Sequence, residues 1–288
     1  MQEIAHQTAW RAAAPLLVRR SGSRLSAIGR VTQSRTGNIV QYVAILGITG
    51  YTIYAGSASM GYNWQWNRIP PYILRIRHGE IVWGTLALGL CQTILISAYA
   101  GLVAACIGIA TAVFRLSRSF SGRWLARLYL ELVRNTPLLV EINLFYFVVA
   151  PVFGIDRFWT GVLALAFFEG AFASEIFRAG ILAVPAGQWE ASSALGLSRL
   201  RTYRLVVLPQ AVRIMLPPLV SICVALIKDS SIVSVIALFE LTTAGRDAIA
   251  DSFMSFEIWL TVAAIYLLLN ASFSITANRL NRHMRIAT

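Results

Sequence analysis

The chain has 288 residues, of which 57% are hydrophobic and only 13% are charged. A soluble globular domain carries about 25% charged residues, and several apolar runs here exceed the roughly 18 residues that cross a bilayer, which excludes a soluble fold. The net charge of +12 comes from arginines at the ends of apolar runs and from one lysine, Lys228. This pattern is typical of membrane topology and not of nucleic-acid binding, so we predict an all-α polytopic membrane protein.

Six apolar segments predict transmembrane helices in chain order. They cover residues 39–57, 81–112, 125–150, 159–181, 212–235 and 256–278. The second segment is too long for one untilted crossing and is expected to tilt or to protrude from the bilayer. Between the first two segments, Pro70 and Pro71 are expected to exclude a helix, and Trp64 and Trp66 to lie at the membrane surface.

The basic residues orient these helices. Seventeen arginines lie in residues 1–38, in the 113–127 and 182–213 connections and in the C-terminal tail, whereas the opposite connections hold six basic residues. Because arginines are enriched on the cytoplasmic side, residues 1–38 and 282–288 are predicted to be cytoplasmic tails. Residues 39–80 are then a first membrane helix and a loop on the opposite, outer side, and that helix is expected to be retained because no clear cleavage site follows it.

A short polar stretch, QWEASSALGL, separates the fourth and fifth apolar segments on the arginine-rich side. Glu190 is expected in the first turn of a short helix, where a carboxylate suits the helix dipole, and Gly196 is expected to end that helix in a left-handed conformation. Ser198 is expected to cap a second short helix that ends at Pro209. Small residues at 191–194 allow a partner backbone to approach closely, although an interfacial helix lying on lipid explains the same pattern.

This loop resembles the signature loop of the transmembrane subunits of bacterial ABC importers, in which Glu-Ala-Ala is followed by a glycine and then by Leu-Pro. The matching residues are Glu190, Ala191, Gly196, Leu208 and Pro209, with Ser192 in place of the second alanine. Residues 85–98, 131–148, 173–190 and 216–238 are similar to the polar amino acid permease subfamily, the type that carries histidine, glutamate, glutamine, arginine or opines. The resemblance covers about residues 80–288.

The resemblance implies a five-helix permease domain at residues 81–281, preceded by one extra helix, with a coupling loop at residues 185–210. It implies an importer subunit that moves polar amino acids across the bacterial inner membrane by alternating access. The implied partners are a cytoplasmic ABC ATPase dimer that grips the loop, a periplasmic amino-acid-binding protein and a second permease subunit, identical or different, besides membrane lipid. The chain has no GxxxxGK[ST] motif, so ATP and Mg²⁺ are expected on the ATPase, and no catalytic residue, cofactor or metal site is expected here.

Ionisable residues inside the predicted helices are costly to insert and indicate function. The candidate substrate pathway consists of Glu141, Asn143 and Glu169, and the candidates for gating or structural roles are Pro137, Glu175, Arg178, Lys228 and Asp229. Glu141 stands where the subfamily usually has glutamine. For Glu141 and Glu169, a structural pair with Arg134 or Arg178 is the alternative.

Two of these candidates have a local explanation as well. Glu175 and Arg178 are spaced for an ion pair on one helix face. Pro137 interrupts the third apolar segment, which fits a hinge and a static kink equally well.

Two other classes of protein remain open on the sequence. An ion-coupled secondary amino acid carrier would use the intramembrane carboxylates to relay protons, and its transport would survive vanadate. A membrane enzyme would need a nucleophile–base pair or a metal cluster on the aqueous sides, and the sequence offers neither.

Overall fold

A computed structural model describes residues 35–77 and 79–285, which divide into one unit up to Trp64 and a second unit from Gln65 onward. The first unit is built on helix α1 (Arg35–Ser59). Residues Asn38–Ser59 of this helix are long and apolar enough to cross a membrane, as predicted for the first segment. Beyond α1 the ring of Tyr62 meets that of Trp64 edge to face at 5.2 Å.

The second unit opens with a short cap that the sequence did not predict. A 3₁₀ turn (Trp66–Arg68) leads into α2 (Pro70–Ile73), followed by the antiparallel strands β1 (Leu74–Arg77) and β2 (Glu80–Trp83), which pair in the register Leu74↔Trp83. The expectation that Pro70 and Pro71 exclude a helix was wrong. They occupy the first turn of α2, where a missing N–H costs nothing.

Helices α3 (Thr85–Leu116) and α7 (Arg157–Leu182) form the centre of the second unit. At 1.5 Å per residue the 32 residues of α3 extend about 48 Å, which exceeds the roughly 30 Å hydrocarbon core. The two helices approach closely because small residues face each other, as at Gly108, where an added Cβ would lie 2.9 Å from the Cβ of Ala173. The predicted second segment therefore begins at residue 85 rather than 81, because residues 81–83 belong to β2.

The third predicted segment, 125–150, is not one helix. It consists of α4 (Phe120–Arg134), α5 (Leu138–Leu144), a π-helical turn (Phe145–Val149) and α6 (Ala150–Phe153), and the chain bends by 109° between α4 and α5. The break lies at Pro137, which has no N–H for the ladder and disfavours a helical residue before it. Thr136 caps the interrupted end, since its hydroxyl donates to the Leu132 carbonyl at 2.7 Å.

A short helix α8 (Ala186–Ala194) follows α7. From Arg199 to Ile236 the chain is then helical without interruption, through α9 (Arg199–Thr202), a π turn (Tyr203–Val207), α10 (Leu208–Asp229) and a 3₁₀ segment (Ser230–Ile236). The prediction that Pro209 ends a separate short helix was wrong. Pro209 is the second residue of α10, and the wider preceding turn accommodates the missing hydrogen bond.

The second unit ends with α11 (Leu241–Ser252) and α12 (Ser255–Arg285). In the described part of the chain five helices are long and apolar enough to cross a membrane, or six if the bent pair α4 and α5–α6 counts as one span. The predicted fold class of about six membrane helices is confirmed. Apolar side chains form the core between α3, α5, α7 and α10, among them Ile96, Ile142, Leu165 and Leu226.

Candidate functional site: a surface helix joined to a buried set of carboxylates

The end of α8 has the geometry that the sequence predicted. Gly196 has a φ of +69°, and its N–H donates to the Ser193 carbonyl at 3.0 Å while the N–H of Leu197 donates to the Ser192 carbonyl at 3.1 Å. These two bonds form a Schellman motif, which favours glycine at the left-handed position. Because α8 begins at Ala186, Glu190 lies beyond the first turn and not within it.

One side of α8 is fixed to the neighbouring helices. The ring of Trp189 packs edge to face on Tyr203 at 5.2 Å, and both contact a buried apolar cluster formed by Val184, Val207, Ala211 and Met215. The amide of Gln210 donates to the side-chain oxygen of Gln188 at 3.3 Å. Ser192 belongs to this fixed side, because it is buried and its hydroxyl donates to the Gln188 carbonyl.

The other side of α8 is exposed. The exposed residues in and beyond this helix include Glu190, Ala191, Ser193, Ala194, Leu195, Gly196 and Leu200. Two of them are large and apolar, Leu195 at 78% and Leu200 at 79% exposure. Leu208 and Pro209, the distal pair of the loop motif, are also exposed. The loop therefore presents small and apolar residues outward while Trp189 and Ser192 attach it to the helix bundle.

Glu175, near the end of α7 that leads into α8, connects α7 to α3. Its carboxylate accepts from Arg178 on the same helix, as the spacing predicted, and also from Arg115 in the last turn of α3. The sequence did not identify Arg115 as a partner, since the two residues are 60 positions apart. The bridge attaches the end of α3 to the end of α7 that leads into α8.

Glu169, deeper in α7, lies beside Asp229 at the end of α10. Glu169 is buried, and its carboxyl group lies close to the Asp229 carboxyl. Cys223 is close to Glu169, and Lys228 is close to Asp229. The alternative pairing of Glu169 with Arg134 or Arg178 does not occur among the described residues, because Arg178 binds Glu175 and the Arg134 guanidinium stacks on Phe172 at 5.9 Å.

Glu141 occupies a different place, at the bend between α4 and α5. It is only 6% exposed and lies near Tyr129, whose hydroxyl donates to the Phe167 carbonyl at 2.6 Å. One Glu141 carboxylate oxygen is buried without a hydrogen-bond partner among the described residues. Asn143, two residues on, is half-buried and donates its amide to the Leu139 carbonyl.

At the opposite end of the molecule two further carboxylates are fully buried, and the sequence did not single them out. Glu240 caps α11, accepting from the N–H groups of Thr242 and Thr243 at 2.7 Å and from the Tyr266 hydroxyl at 2.9 Å. Burial raises the pKa of the Glu240 carboxyl, and the two N–H groups oppose that shift. Glu257 at the start of α12 accepts from the N–H of Gln65 at 2.7 Å, which joins the cap to α12.

These features define a class of protein: a polytopic membrane protein with an exposed helix on one face and buried carboxylates within the bundle. Residues 104–286 match the family described as "Binding-protein-dependent transport system inner membrane component". The chain belongs to this family, so the predicted resemblance to the membrane subunits of importers is confirmed. The chain is a multi-pass inner-membrane transport component.

Similar relatives include amino acid permeases. The chain is 35% identical over 236 residues to the glutamine transport system permease protein GlnP of Escherichia coli, covering 79% of this chain and all of that protein. It is 38% identical over 161 residues to the L-cystine transport system permease protein TcyB of Bacillus subtilis, covering 55% of this chain and 68% of TcyB.

Solved structures give the same fold. An amino acid ABC transporter crystallised with histidines matches 69% of this chain and 94% of its own at 33% identity, with a TM-score of 0.65. An inward-facing form of the MetNI methionine ABC transporter covers 69% of this chain and 96% of its own with a TM-score of 0.62. At 17% identity the second match concerns the fold alone.

Proposed function

We propose that this chain is the membrane subunit of an ATP-driven importer for polar amino acids, which works by alternating access. A cytoplasmic ATPase dimer binds ATP and Mg²⁺ and docks on the exposed side of α8, so this chain itself catalyses no reaction. A second permease subunit and a periplasmic amino-acid-binding protein complete the assembly, and both termini are cytoplasmic. The observation that carries the proposal is α8 itself, with small and apolar residues exposed on one side and Trp189 and Ser192 fixed on the other.

The contacts of α8 supply a route by which a movement of the docked ATPase reaches the membrane. Gln188 holds the first turn of α8 to Gln210 in α10, and the Trp189–Tyr203 contact holds its middle to the continuous helical run that begins at Arg199. A displacement of α8 is therefore passed to α10 directly. At the far end of α10, Asp229 meets Glu169 of α7, so a tilt of α10 changes a contact in the membrane interior.

The carboxylates support a substrate with an ammonium group. Relatives of this chain are named for glutamine, L-cystine and octopine transport. Acidic groups inside a bilayer are expensive unless they serve a ligand, a proton or a partner, and Glu169 and Asp229 face each other and not an arginine. We propose that the amino group of the solute passes near this pair, with Glu141 and Asn143 further along the candidate pathway.

Reconstitution tests this proposal. The chain is placed in proteoliposomes with its ATPase, its permease partner and the binding protein, and uptake of radiolabelled glutamine and arginine is measured. We expect accumulation that needs ATP and the ATPase and that vanadate blocks. If the chain alone accumulated solute from an ion gradient in the presence of vanadate, the ion-coupled secondary carrier would be correct.

Residue variants then test the pathway. Glu169→Gln removes one acidic group from the buried pair and should lower the uptake rate of a cationic solute at least tenfold, while assembly with the ATPase persists. The matched control is Glu190→Gln on the exposed side of α8, which should leave the ratio of arginine uptake to glutamine uptake unchanged, whereas Glu169→Gln should lower that ratio. Equal uptake by wild type and Glu169→Gln would contradict the pathway assignment without touching the assembly.

A further inference from the structure

Helix α4 has three chemically distinct sides. Ala126, Leu130 and Val133 are buried against α3 and α7. A second side carries the exposed apolar residues Trp124, Leu128 and Leu132, which are 58%, 39% and 60% exposed. Between these two sides, at a spacing of three and four residues, lie Arg127, Glu131 and Arg134. An amphipathic helix on the surface of a soluble protein has one buried apolar side and one exposed polar side. The additional exposed apolar side of α4 therefore needs a physical explanation.

The polar side of α4 forms one wall of a cavity. Its volume is about 370 Å³, and it is lined by Arg115, Arg127, Leu130, Glu131, Arg134 and Asn135. Arg115 comes from the last turn of α3, so the cavity lies at the end of the bundle that carries α8. It is separate from the exposed side of α8 and from the Glu169–Asp229 pair.

Positive charge dominates the cavity and its surroundings. Arg115 and Arg178 share the single carboxylate of Glu175, and Glu131 accepts a hydrogen bond from the amide of Asn135 at 3.2 Å. In the part of the chain that the structure describes, neither Arg127 nor Arg134 forms a salt bridge.

The surroundings of the cavity include one buried guanidinium donor without a partner among the described residues. The Arg134 guanidinium lies over the ring of Phe172. Arg178 has a buried Nε without an acceptor among the described residues. Arg127 and Arg134 line the cavity as exposed arginines without a salt bridge among the described residues, and this excess of positive charge favours an anion.

We propose that this cavity binds the head-group phosphate of an acidic membrane phospholipid, with an acyl chain lying along Trp124, Leu128 and Leu132. Guanidinium groups bind phosphate in a bidentate manner, and the cavity volume admits a phosphodiester and its glycerol. The exposed apolar side of α4 adjoins the arginines, which is the arrangement that a phospholipid needs and that a free anion does not. Bound lipid would hold α4 against the ends of α3 and α7, next to the helix that docks the ATPase.

The test uses the full-length protein in a neutral detergent, titrated with phosphatidylglycerol while its thermal unfolding is followed. Native mass spectrometry counts the lipid molecules that remain bound. Each arginine near a phosphate contributes about 1 kcal/mol, so Arg127→Gln with Arg134→Gln should weaken phosphatidylglycerol binding roughly 30-fold. The matched control, Arg201→Gln with Arg204→Gln, removes the same charge from exposed positions beyond α8 and should bind as wild type does.

Further arms distinguish binding at this cavity from a general effect of lipid, of phosphate or of misfolding. Arg127→Lys with Arg134→Lys keeps the charge but loses the bidentate guanidinium groups, so its binding should fall between that of the glutamine variant and that of wild type. An unfolding temperature without lipid that is the same for the glutamine variant and wild type shows that the loss of binding is not misfolding. Phosphatidylcholine and inorganic phosphate at the same concentrations should stabilise the protein much less than phosphatidylglycerol does. Equal binding by the glutamine variant and wild type, equal stabilisation by phosphatidylcholine, or equal stabilisation by inorganic phosphate would each overturn the proposal.

Discussion

Substitution of Gly196 tests whether the exposed helix must end as the structure shows. Its φ of +69° is left-handed, and a Cβ built there meets nothing within 4 Å. Gly196→Ala therefore introduces backbone strain of about 1–2 kcal/mol without a clash inside the chain. If the ATPase binds only the native turn, its affinity for the permease should fall roughly 5- to 30-fold.

The assay measures binding of the purified ATPase to the detergent-solubilised permease. Gly187→Ala is the matched control, because an added Cβ there also meets nothing within 4 Å and no positive φ is involved. It should bind the ATPase as wild type does, since alanine favours a helix. Gly196→Asn should recover most of the affinity because asparagine tolerates the left-handed region. Equal behaviour of Gly196→Ala and Gly187→Ala, or an asparagine variant weaker than the alanine variant, would refute the reasoning from strain.

Three further substitutions, two of them with a control substitution, test contacts inside the helix bundle, and each is followed by thermal unfolding in detergent. Gly108→Ala should lower the free energy of unfolding by about 1–3 kcal/mol, because the new Cβ would lie 2.9 Å from the Cβ of Ala173 in α7. The control is Gly101→Ala, whose new Cβ would lie 3.4 Å from its nearest neighbour, and it should leave the free energy of unfolding unchanged or raise it. Glu240→Ala should cost about 2–4 kcal/mol because it leaves two N–H groups and a hydroxyl buried without their acceptor, while Asp156→Ala at the exposed cap of α7 should cost about 1 kcal/mol. Glu175→Gln weakens both of its arginine contacts, and since these side chains are partly exposed the loss should be about 1 kcal/mol; no change in unfolding would mean that the bridge does not hold the two helices.

The parts of the fold that the sequence predicted are those set by composition and local spacing. Long apolar runs located α1, α3, α7 and α12 within a few residues, because bilayer thickness alone requires that length. The left-handed end of α8 followed from Gly196, and the Glu175–Arg178 pair followed from its three-residue spacing. Each of these rests on residues close together in the chain.

The errors have a common physical origin in tertiary context. The sequence predicted an interruption at Pro137, but a proline alone does not determine the angle between the two helices. The 109° bend depends on packing against the rest of the bundle. Pro209 was expected to end a helix, yet the π turn before it accommodates the missing N–H and the helix continues. The contacts of Glu175 with Arg115 and of Glu169 with Asp229 join residues far apart in the chain, so no local pattern contained them.

The uninterrupted helical run from Arg199 to Ile236 has a mechanical consequence. Its 38 residues extend about 57 Å, which makes it a rod longer than the bilayer is thick. A rotation of only about 5° about one end would carry the other end through about 5 Å, by the geometry of a rod of that length. If the proposed ATPase tilts this run by so small an angle, the opposite end of the run moves by about the width of a side chain.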